Sequence, residues 1–180
     1  MSEILSFKNA AVVVTGATGF IGSHLIDYLV GQDCTIHALV RETSDQRWLN
    51  KSSQVKVNVV DLGQSSSISC LEKADYLFHC AGLTKAKTRD DYFCGNVYSC
   101  EVLYERCVAI GNNLKAIVHL SSLAAAGPNV QGEPAQEKKP CKPVTYYGES
   151  KLAGEKIALK YASSLPIVII RPPVVYGPRE

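Results

Sequence analysis

The sequence predicts an α/β fold in which six strands form one doubly wound parallel sheet, in the order 3-2-1-4-5-6. Short apolar runs alternate along the chain with segments of helical spacing, as in repeated strand and helix units. The first run has no polar alternation, as expected for a strand covered on both faces, and it leads directly into a glycine-rich turn. The 180 residues are 46% hydrophobic, enough for one sizeable core, so we expect a single domain over residues 1–180.

The first unit runs from Ala10 to Gly22 and reads AAVVVTGATGFIG. It predicts a strand, a tight turn and a helix over Phe20–Val30, and the backbone N–H groups at the start of such a helix can hold a pyrophosphate. Gly16 allows the sharp turn, Gly19 lets the backbone approach phosphate oxygens, and Gly22 lets the helix pack close to the strand. The spacing is GxxGxxG, and the glycines alone are also consistent with a turn that holds no ligand.

A second strand is expected over Cys34–Val40, and it ends at Arg41, about 20 residues past the glycines, where dinucleotide-binding folds contact the ribose. An acidic residue there would accept a hydrogen bond from the ribose 2′-OH, whereas a guanidinium can hold a 2′-phosphate. Arg41 therefore favours NADP, with NAD as the alternative, and Arg47 is a second candidate for the same contact. A solvated arginine at a strand end is the other interpretation.

The third strand is expected over Val55–Val60 and is followed by Asp61 and Leu62. A carboxylate at the carboxyl end of a strand can meet the amino group of an adenine. Aspartate is also a common turn residue, so Asp61 alone is weak evidence for that contact.

The fourth strand, Asp75–Cys80, ends in small residues that leave room for a ligand at the carboxyl edge of the sheet. His79 lies inside this strand, and we interpret it as a hydrogen-bonded core histidine rather than a catalyst. A long helix with Asn96 near its start is expected over Asp91–Ile110.

The fifth strand, Lys115–Leu120, brings Ser121 and Ser122 to the same edge of the sheet. The segment from Pro128 to Pro143 contains four prolines and predicts a surface loop beside the site, a possible flap over a substrate. A helix follows from Tyr147 to Tyr161, with Tyr147 and Lys151 four residues apart and so on one face. Pro166–Ile170 is the sixth strand.

Composition excludes several classes of function. Lys and Arg number 19 against 17 Asp and Glu, so the net charge of +2 gives no reason to expect binding to nucleic acid or to an anionic membrane. The seven cysteines are scattered and contain no CxxC pair, which argues against a disulfide framework and against a zinc site, so no metal is expected. With no apolar signal core and no run of about 20 apolar residues, a cytoplasmic protein with reduced thiols is expected.

Seven segments in order, TGATGFIG, DL, HCAG, NV, SS, YYGESK and RPPVVYGP, resemble those of the extended short-chain dehydrogenase/reductase family. This family comprises nucleotide-sugar epimerases, dehydratases and related NADP-dependent reductases, and its cofactor domain has the Rossmann fold. The resemblance implies that Ser122, Tyr147 and Lys151 are catalytic. It implies a cofactor-binding set of Gly16, Thr18, Gly19, Phe20, Ile21, Gly22, Arg41, Asp61, Leu62, Ala81, Gly82, Thr84, Asn96, Tyr147, Lys151, Pro172 and Pro173.

The chain departs from the family pattern in two respects. Ser99 and Cys100 stand where the family usually has Gly-Thr after its asparagine. The segments that form the family's second, substrate-binding domain do not follow in the 180 residues. We therefore expect a cofactor domain with the substrate lobe missing, weakly active or inactive alone, and prone to self-association through an exposed sheet edge and apolar rim near Val174 and Val175.

The implied chemistry needs these residue types. Hydride transfer between a carbinol and a nicotinamide requires a group that exchanges a proton with the substrate oxygen, and a phenol suits only if its pKa falls from about 10. The resemblance implies that the positive charge of Lys151 assists proton exchange by Tyr147, and Lys151 is also expected to donate to the nicotinamide ribose. Ser122 is expected to hydrogen-bond the substrate oxygen.

Two classes of function follow. The first is an NADP-dependent oxidoreductase, epimerase or dehydratase acting on a nucleotide sugar or a related small hydroxy or carbonyl compound. The alternative is a non-catalytic NADP-binding sensor or regulatory domain, which would be expected to have lost at least one of the three catalytic residues. The resemblance also implies a possible homodimer, formed through the helices at Asp91–Ile110 and Tyr147–Ala162.

Overall fold

The computed structural model describes residues 6–63, 68–111, 114–129 and 136–180. Its centre is one sheet of six strands in the order β3-β2-β1-β4-β5-β6, with every neighbouring pair parallel, which confirms the predicted order. The predicted strand bounds hold to within one residue at each end. The strands are β1 (Ala11–Thr15), β2 (Thr35–Val40), β3 (Val55–Val59), β4 (Tyr76–His79), β5 (Ala116–Leu120) and β6 (Ile167–Ile170).

Helices cover both faces of the sheet. One apolar cluster joins α1 (Phe20–Val30) to β1 and β2, through residues such as Ile26 and Ile36. The second cluster joins the opposite face to α3 (Ser99–Ala109) and α4 (Tyr146–Tyr161), through residues such as Leu103 and Ile157. Two short 3-10 helices, Ser69–Lys73 and Leu123–Ala125, lie before β4 and after β5.

The position of each strand in the sheet explains its burial. Val12, Val13 and Val14 of the central strand β1 are 0% exposed, as expected from a run with no polar alternation. The edge strands are open on one face, because Val59 of β3 and Val168 of β6 are 64% and 53% exposed. Burial of the central strands therefore supplies most of the core.

The helix predicted over Asp91–Ile110 is not continuous α-helix. It begins earlier, with α2 at Arg89–Phe93, because Thr88 and Asp91 form a capping box in which each side chain bonds the other's backbone N–H. A π-helical turn, Cys94–Tyr98, then precedes α3. Such turns are frequent at functional sites, and this one contains Asn96.

The predicted loop from Pro128 to Pro143 lies partly outside the described residues, since positions 130–135 are not described. Its described part contains no helix or strand, and its two ends are tied by a hydrogen bond from the N–H of Lys142 to the carbonyl of Ala126. Within the described parts of the chain, no helix is both long and apolar enough to cross a membrane.

Candidate active site and cofactor cleft

A cleft of about 430 Å³ opens at the carboxyl edge of the sheet. It is formed by the segments that follow β1, β2, β3 and β4, together with the start of the helical stretch around the π turn. Ligands of open α/β sheets bind at this kind of edge. The residues lining the cleft include Gly16, Thr18, Gly19, Arg41, Ser44, Asp61, Leu62, Cys80, Ala81, Gly82, Asp91, Cys94 and Gly95.

The turn after β1 requires glycine at two positions. Gly16 has a φ of +64°, and a Cβ there would lie 2.7 Å from both the N of Ala81 and the carbonyl C of Cys80. A Cβ on Gly22 would lie 2.2 Å from the carbonyl O of Gly16. Gly16 thus makes the sharp turn and Gly22 permits close packing of α1, which confirms those two predictions.

Gly19 is the residue that precedes α1. No side chain caps this end of the helix, and no acidic residue stands in its first turn. Within the described residues, the N–H groups at the start of α1 therefore have no side-chain cap, which is the arrangement that suits a phosphate.

The end of the cleft beside β2 and β3 carries the residues predicted to hold an adenosine. Arg41 is exposed and lines the cleft, and its N–H donates to Ser44 Oγ at 3.0 Å. Asp61 also lines it, and its Oδ1 accepts from the N–H of Gly63 at 2.9 Å. Arg47 is not among the lining residues, and its guanidinium pairs with Asp45, with Nε donating to Oδ2 at 2.5 Å.

Lys151 occupies the buried end of the site. It is 7% exposed, and its Nζ donates at 2.6 Å to the carbonyl of Leu120, the last residue of β5. Burial lowers the pKa of Lys151 from its ordinary value. A Cβ on Gly82 would lie 3.5 Å from this Nζ, so the lysine ammonium and the cleft meet at Gly82.

Tyr147 and Ser122 lie on two different elements at the same edge of the sheet. Tyr147 is in the first turn of α4, which Thr145 caps by accepting from the N–H of Gly148 at 3.0 Å. The ring centroid of Tyr147 lies 6.1 Å from that of Tyr92. Ser122 follows β5, and its Oγ accepts from the N–H of Ala124 at 3.2 Å, which leaves the hydroxyl hydrogen available to donate.

Asn96 is 2% exposed and holds the β4 loop against α4. Its Oδ1 accepts from the N–H of Leu83 at 2.6 Å, while its Nδ2 donates to the carbonyl of Leu83 at 3.0 Å and to Ser150 Oγ at 2.9 Å. These contacts occupy the amide with protein partners. The structure therefore gives Asn96 a positioning role beside Gly82, and direct contact with a cofactor stays a prediction.

Several predicted cofactor residues lie outside the cleft. Phe20 and Ile21 line a separate apolar hollow of about 480 Å³ between α1 and the segment containing Tyr176. Pro172 lies beside Ser122, because its carbonyl accepts from the N–H of Leu123 at 2.9 Å. The other predicted residues that do not line the cleft are Gly22, Thr84, Asn96, Tyr147, Lys151 and Pro173. For all of these residues, a cofactor contact stays a prediction.

A buried ion pair beside Lys151 had no counterpart in the sequence predictions. Glu155 is 2% exposed and accepts from Ser121 Oγ at 2.5 Å and from Arg171 Nε and Nη2 at 2.8 and 2.6 Å. Burial alone raises the pKa of Glu155, but the hydrogen bonds from Arg171 and Ser121 outweigh it and hold that pKa below its usual value. Its only sequence signal is the four-residue spacing from Lys151.

His79 is a core histidine, as predicted. Its Nδ1 lies 2.8 Å from Thr15 Oγ1 and its Nε2 lies 3.2 Å from Cys100 Sγ, while burial lowers its pKa well below the usual value. His119 stands nearby, with its Nδ1 2.6 Å from Tyr104 Oη, and burial lowers the pKa of His119 to about 4.

One ligating atom each of His79, Cys100 and His119 lies within 4.8 Å of the others, a distance at which three such groups can hold a metal ion. No spacing pattern in the sequence indicates this group. The buried ammonium of Lys151 also acts on both histidines and disfavours a further cation beside them.

Comparison with known proteins identifies relatives over nearly the whole chain. The family model described as the NAD dependent epimerase/dehydratase family matches residues 12–180. A ceramide reductase of Caulobacter vibrioides is 32% identical over 170 residues, covering 94% of this chain and 47% of the relative. A UDP-glucose 4-epimerase of Vibrio cholerae is 29% identical over 179 residues, covering 93% of this chain and 52% of the relative.

Solved structures agree with these matches. A UDP-glucuronic acid 4-epimerase from Bacillus cereus, in complex with NAD, superposes with a TM-score of 0.83 at 27% identity, covering 94% of this chain and 59% of that one. A UDP-N-acetylglucosamine 4-epimerase from Methanobrevibacter ruminantium, in complex with UDP-N-acetylmuramic acid, gives a TM-score of 0.85 at 28% identity, covering 96% and 57%. The chain thus spans about half the length of the curated relatives it matches.

Proposed function

The chain belongs to the NAD dependent epimerase/dehydratase family, and on that premise we propose that it binds NADP in the cleft and catalyses hydride transfer through Ser122, Tyr147 and Lys151. The single observation that carries this proposal is the meeting of the cleft with Lys151 at Gly82. A nucleotide seated over the turn at Gly16 would have the buried ammonium of Lys151 as a neighbour at the Gly82 end of the cleft.

The residues of the cleft fit a dinucleotide. A side chain at Gly16 would fill the space between the β1 turn and the β4 loop, and the start of α1 presents N–H groups with no side-chain cap. At the end of the cleft beside β2 and β3, Asp61 lies where the adenine amino group would need a polar partner, and Arg41 lies where the ribose would need one. The segments after four strands, β1 to β4, therefore line the cleft, at the carboxyl edge of the sheet where such folds bind dinucleotides.

When bound, the nicotinamide ring supplies the donor or acceptor of a hydride. Tyr147 exchanges a proton with the substrate oxygen as that hydride moves at the adjacent carbon. Ser122 donates its hydroxyl hydrogen to the same oxygen, since its Oγ lone pair is already engaged by the N–H of Ala124. Lys151, four residues after Tyr147 on α4 and anchored on the carbonyl of Leu120, supplies a positive charge and donates to the nicotinamide ribose.

The choice of NADP over NAD rests on Arg41. Its exposed guanidinium lines the cleft next to Ser44, where a 2′-phosphate would receive charged hydrogen bonds. Replacing a partner of a charged hydrogen bond costs about 1.5–3 kcal/mol, or about a 10- to 150-fold weaker affinity. Arg41→Ala should therefore weaken NADP by this factor and leave NAD affinity within about twofold.

Calorimetric titration of NADP and NAD measures this selectivity. Arg47→Ala is the matched control, because Arg47 is also exposed but pairs with Asp45 and does not line the cleft. It should leave both affinities unchanged. Equal affinities of the parent for the two cofactors would contradict the proposed NADP preference, and no binding of either would contradict the proposed function itself.

For the substrate we propose a nucleotide sugar or a related small hydroxy or carbonyl compound. The relatives carry names of both kinds, nucleotide-sugar epimerases and a ceramide reductase. We propose that the 180 residues, assayed by themselves, bind cofactor with little turnover. A panel of nucleotide sugars and small carbonyls, followed by the absorbance of reduced nicotinamide, tests this, and turnover at ordinary enzyme rates would contradict it.

Exposed apolar residues on the long helices, Tyr98, Val108 and Leu159, support the proposal of a homodimer through these helices. Light scattering across a range of protein concentrations tests it. A monomer at the highest concentration would contradict it.

A further inference from the structure

The buried carboxylate of Glu155 joins three elements that meet at the site. It lies on α4 one turn after Lys151, and it accepts from Ser121, the residue directly before Ser122. Arg171, which directly follows β6, completes the cluster with two further hydrogen bonds. One side chain therefore connects the helix that carries Tyr147 and Lys151 to the strand end that carries Ser122.

The same carboxylate interacts electrostatically with Lys151. Burial favours the neutral amine at Lys151, and Cys100, Cys80 and Glu155 oppose this effect. The other titratable groups that act on Lys151 from the packed elements are His79 and Cys80 on and after β4, Cys100 on α3 and His119 on β5. Burial keeps the two thiols and the two imidazoles neutral near pH 7. Among these described groups, Glu155 is therefore the one that carries a negative charge near pH 7.

We propose that Glu155 is a positioning residue of the site: its buried carboxylate, fixed by Arg171 and Ser121, holds α4 against the end of β5 and places a negative charge one helical turn from Lys151, whose ammonium donates to the carbonyl of Leu120. This inference rests on the proposed function for its catalytic meaning. The charge relation between Glu155 and Lys151 is a property of the chain itself, without cofactor or substrate.

The bidentate pair with Arg171 explains why a buried carboxylate remains ionised here. The side chain of Arg171 is about one quarter exposed, whereas that of Glu155 is 3% exposed. Glu155 is therefore the more deeply buried partner of the pair. A buried ion pair of this kind contributes little net stability compared with apolar residues of the same volume, whereas loss of one partner is strongly destabilising. Its presence is accordingly better explained by the placement of a charge than by stability.

The test is an NMR pH titration of Lys151 in the cofactor-free chain. The ¹³Cε resonance of Lys151 is the one that Lys151→Arg removes from the spectrum, and its chemical shift reports the protonation of the amine. Glu155→Gln keeps the size of the side chain and removes the charge, so the titration midpoint of Lys151 should fall by about half a pH unit or more. Glu155→Asp keeps the charge and should restore a midpoint close to the parent value.

Glu149→Gln is the matched control. Glu149 is also on α4 and pairs with Arg89, but that pair is exposed to solvent, so its removal should not move the Lys151 midpoint. The double variant Glu155→Gln/Arg171→Gln leaves no charge stranded and should unfold at higher denaturant than Glu155→Gln alone. Its Lys151 midpoint should still be lowered, which separates the charge effect from a purely structural one.

The proposal would be overturned if Glu155→Gln, or the double variant, lowered the titration midpoint of Lys151 no more than the control Glu149→Gln does. Because the measurement is made without ligand, it does not depend on cofactor binding. Failure of NADP to bind would count against the proposed function and leave this result standing.

Discussion

Gly16→Ala tests the architecture of the cleft at its narrowest point. Alanine at a φ of +64° costs about 1–2 kcal/mol, because its Cβ approaches the following carbonyl in the left-handed conformation. The added Cβ also lies 2.7 Å from two backbone atoms of the Cys80–Ala81 peptide, which cannot rotate away. Moving the end of β4 should cost a further 1–3 kcal/mol, about the penalty of overpacking, for a total of about 2–5 kcal/mol.

Gly111→Ala is the control for the conformational part of this penalty. Gly111 has a φ of +56°, and a Cβ there meets no described atom within 4 Å, so only the first cost of about 1–2 kcal/mol applies. Urea unfolding of both variants at constant m value measures the difference, which should be about 1–3 kcal/mol. Equal destabilisation by the two substitutions would refute the close approach of the β1 turn to the β4 loop.

Two further predictions concern buried imidazole and the catalytic phenol. The pKa of His119 is lowered by burial to about 4, so its neutral form contributes stability above pH 6.5 that is lost as the pH falls from 6.5 towards 4. His119→Gln should flatten the fall in unfolding free energy over that range by about 3 kcal/mol, measured by urea unfolding at several pH values, and an unchanged slope would contradict the assignment. Tyr147→Phe should lower any turnover by about 10²–10⁴-fold while calorimetry still detects NADP binding, and parent-like turnover would exclude Tyr147 as the proton-exchanging group.

The fold was predictable because its signals are local. Val12 to Val14 form an unbroken apolar run, and such a run needs cover on both faces. Gly16 and Gly22 mark a turn that other residues cannot make. Strand order then followed from the known handedness and connectivity of such units.

The interruption of the long helix was not predictable from periodicity. The sequence around Cys94–Tyr98 keeps its apolar spacing, yet the chain widens into a π turn there. A Cβ on Gly95 would lie 2.7 Å from Leu83, and Asn96 is bonded to the same residue. The cause is therefore a tertiary contact with the β4 loop, which helical spacing does not encode.

The candidate site was predictable as a set of separate motifs and not as a network. Tyr147 and Lys151 share a helix face, so their proximity follows from spacing alone. Glu155 contacts Ser121 and Arg171 across 34 and 16 residues of sequence, and only the packing of α4 on β5 and β6 brings them together. The same holds for His119 and Tyr104, whose contact depends on the register of β5 beside α3.

A crystal structure of the chain grown with NADP shows directly whether the cleft holds the cofactor as proposed. We expect the adenine beside Asp61 and Leu62, the 2′-phosphate at Arg41, the pyrophosphate over the turn from Gly16 to Gly19, and the nicotinamide ribose within hydrogen-bond distance of Lys151. A dinucleotide bound elsewhere, such as in the apolar hollow between α1 and Tyr176, or one that runs through the cleft without reaching Lys151, would contradict it.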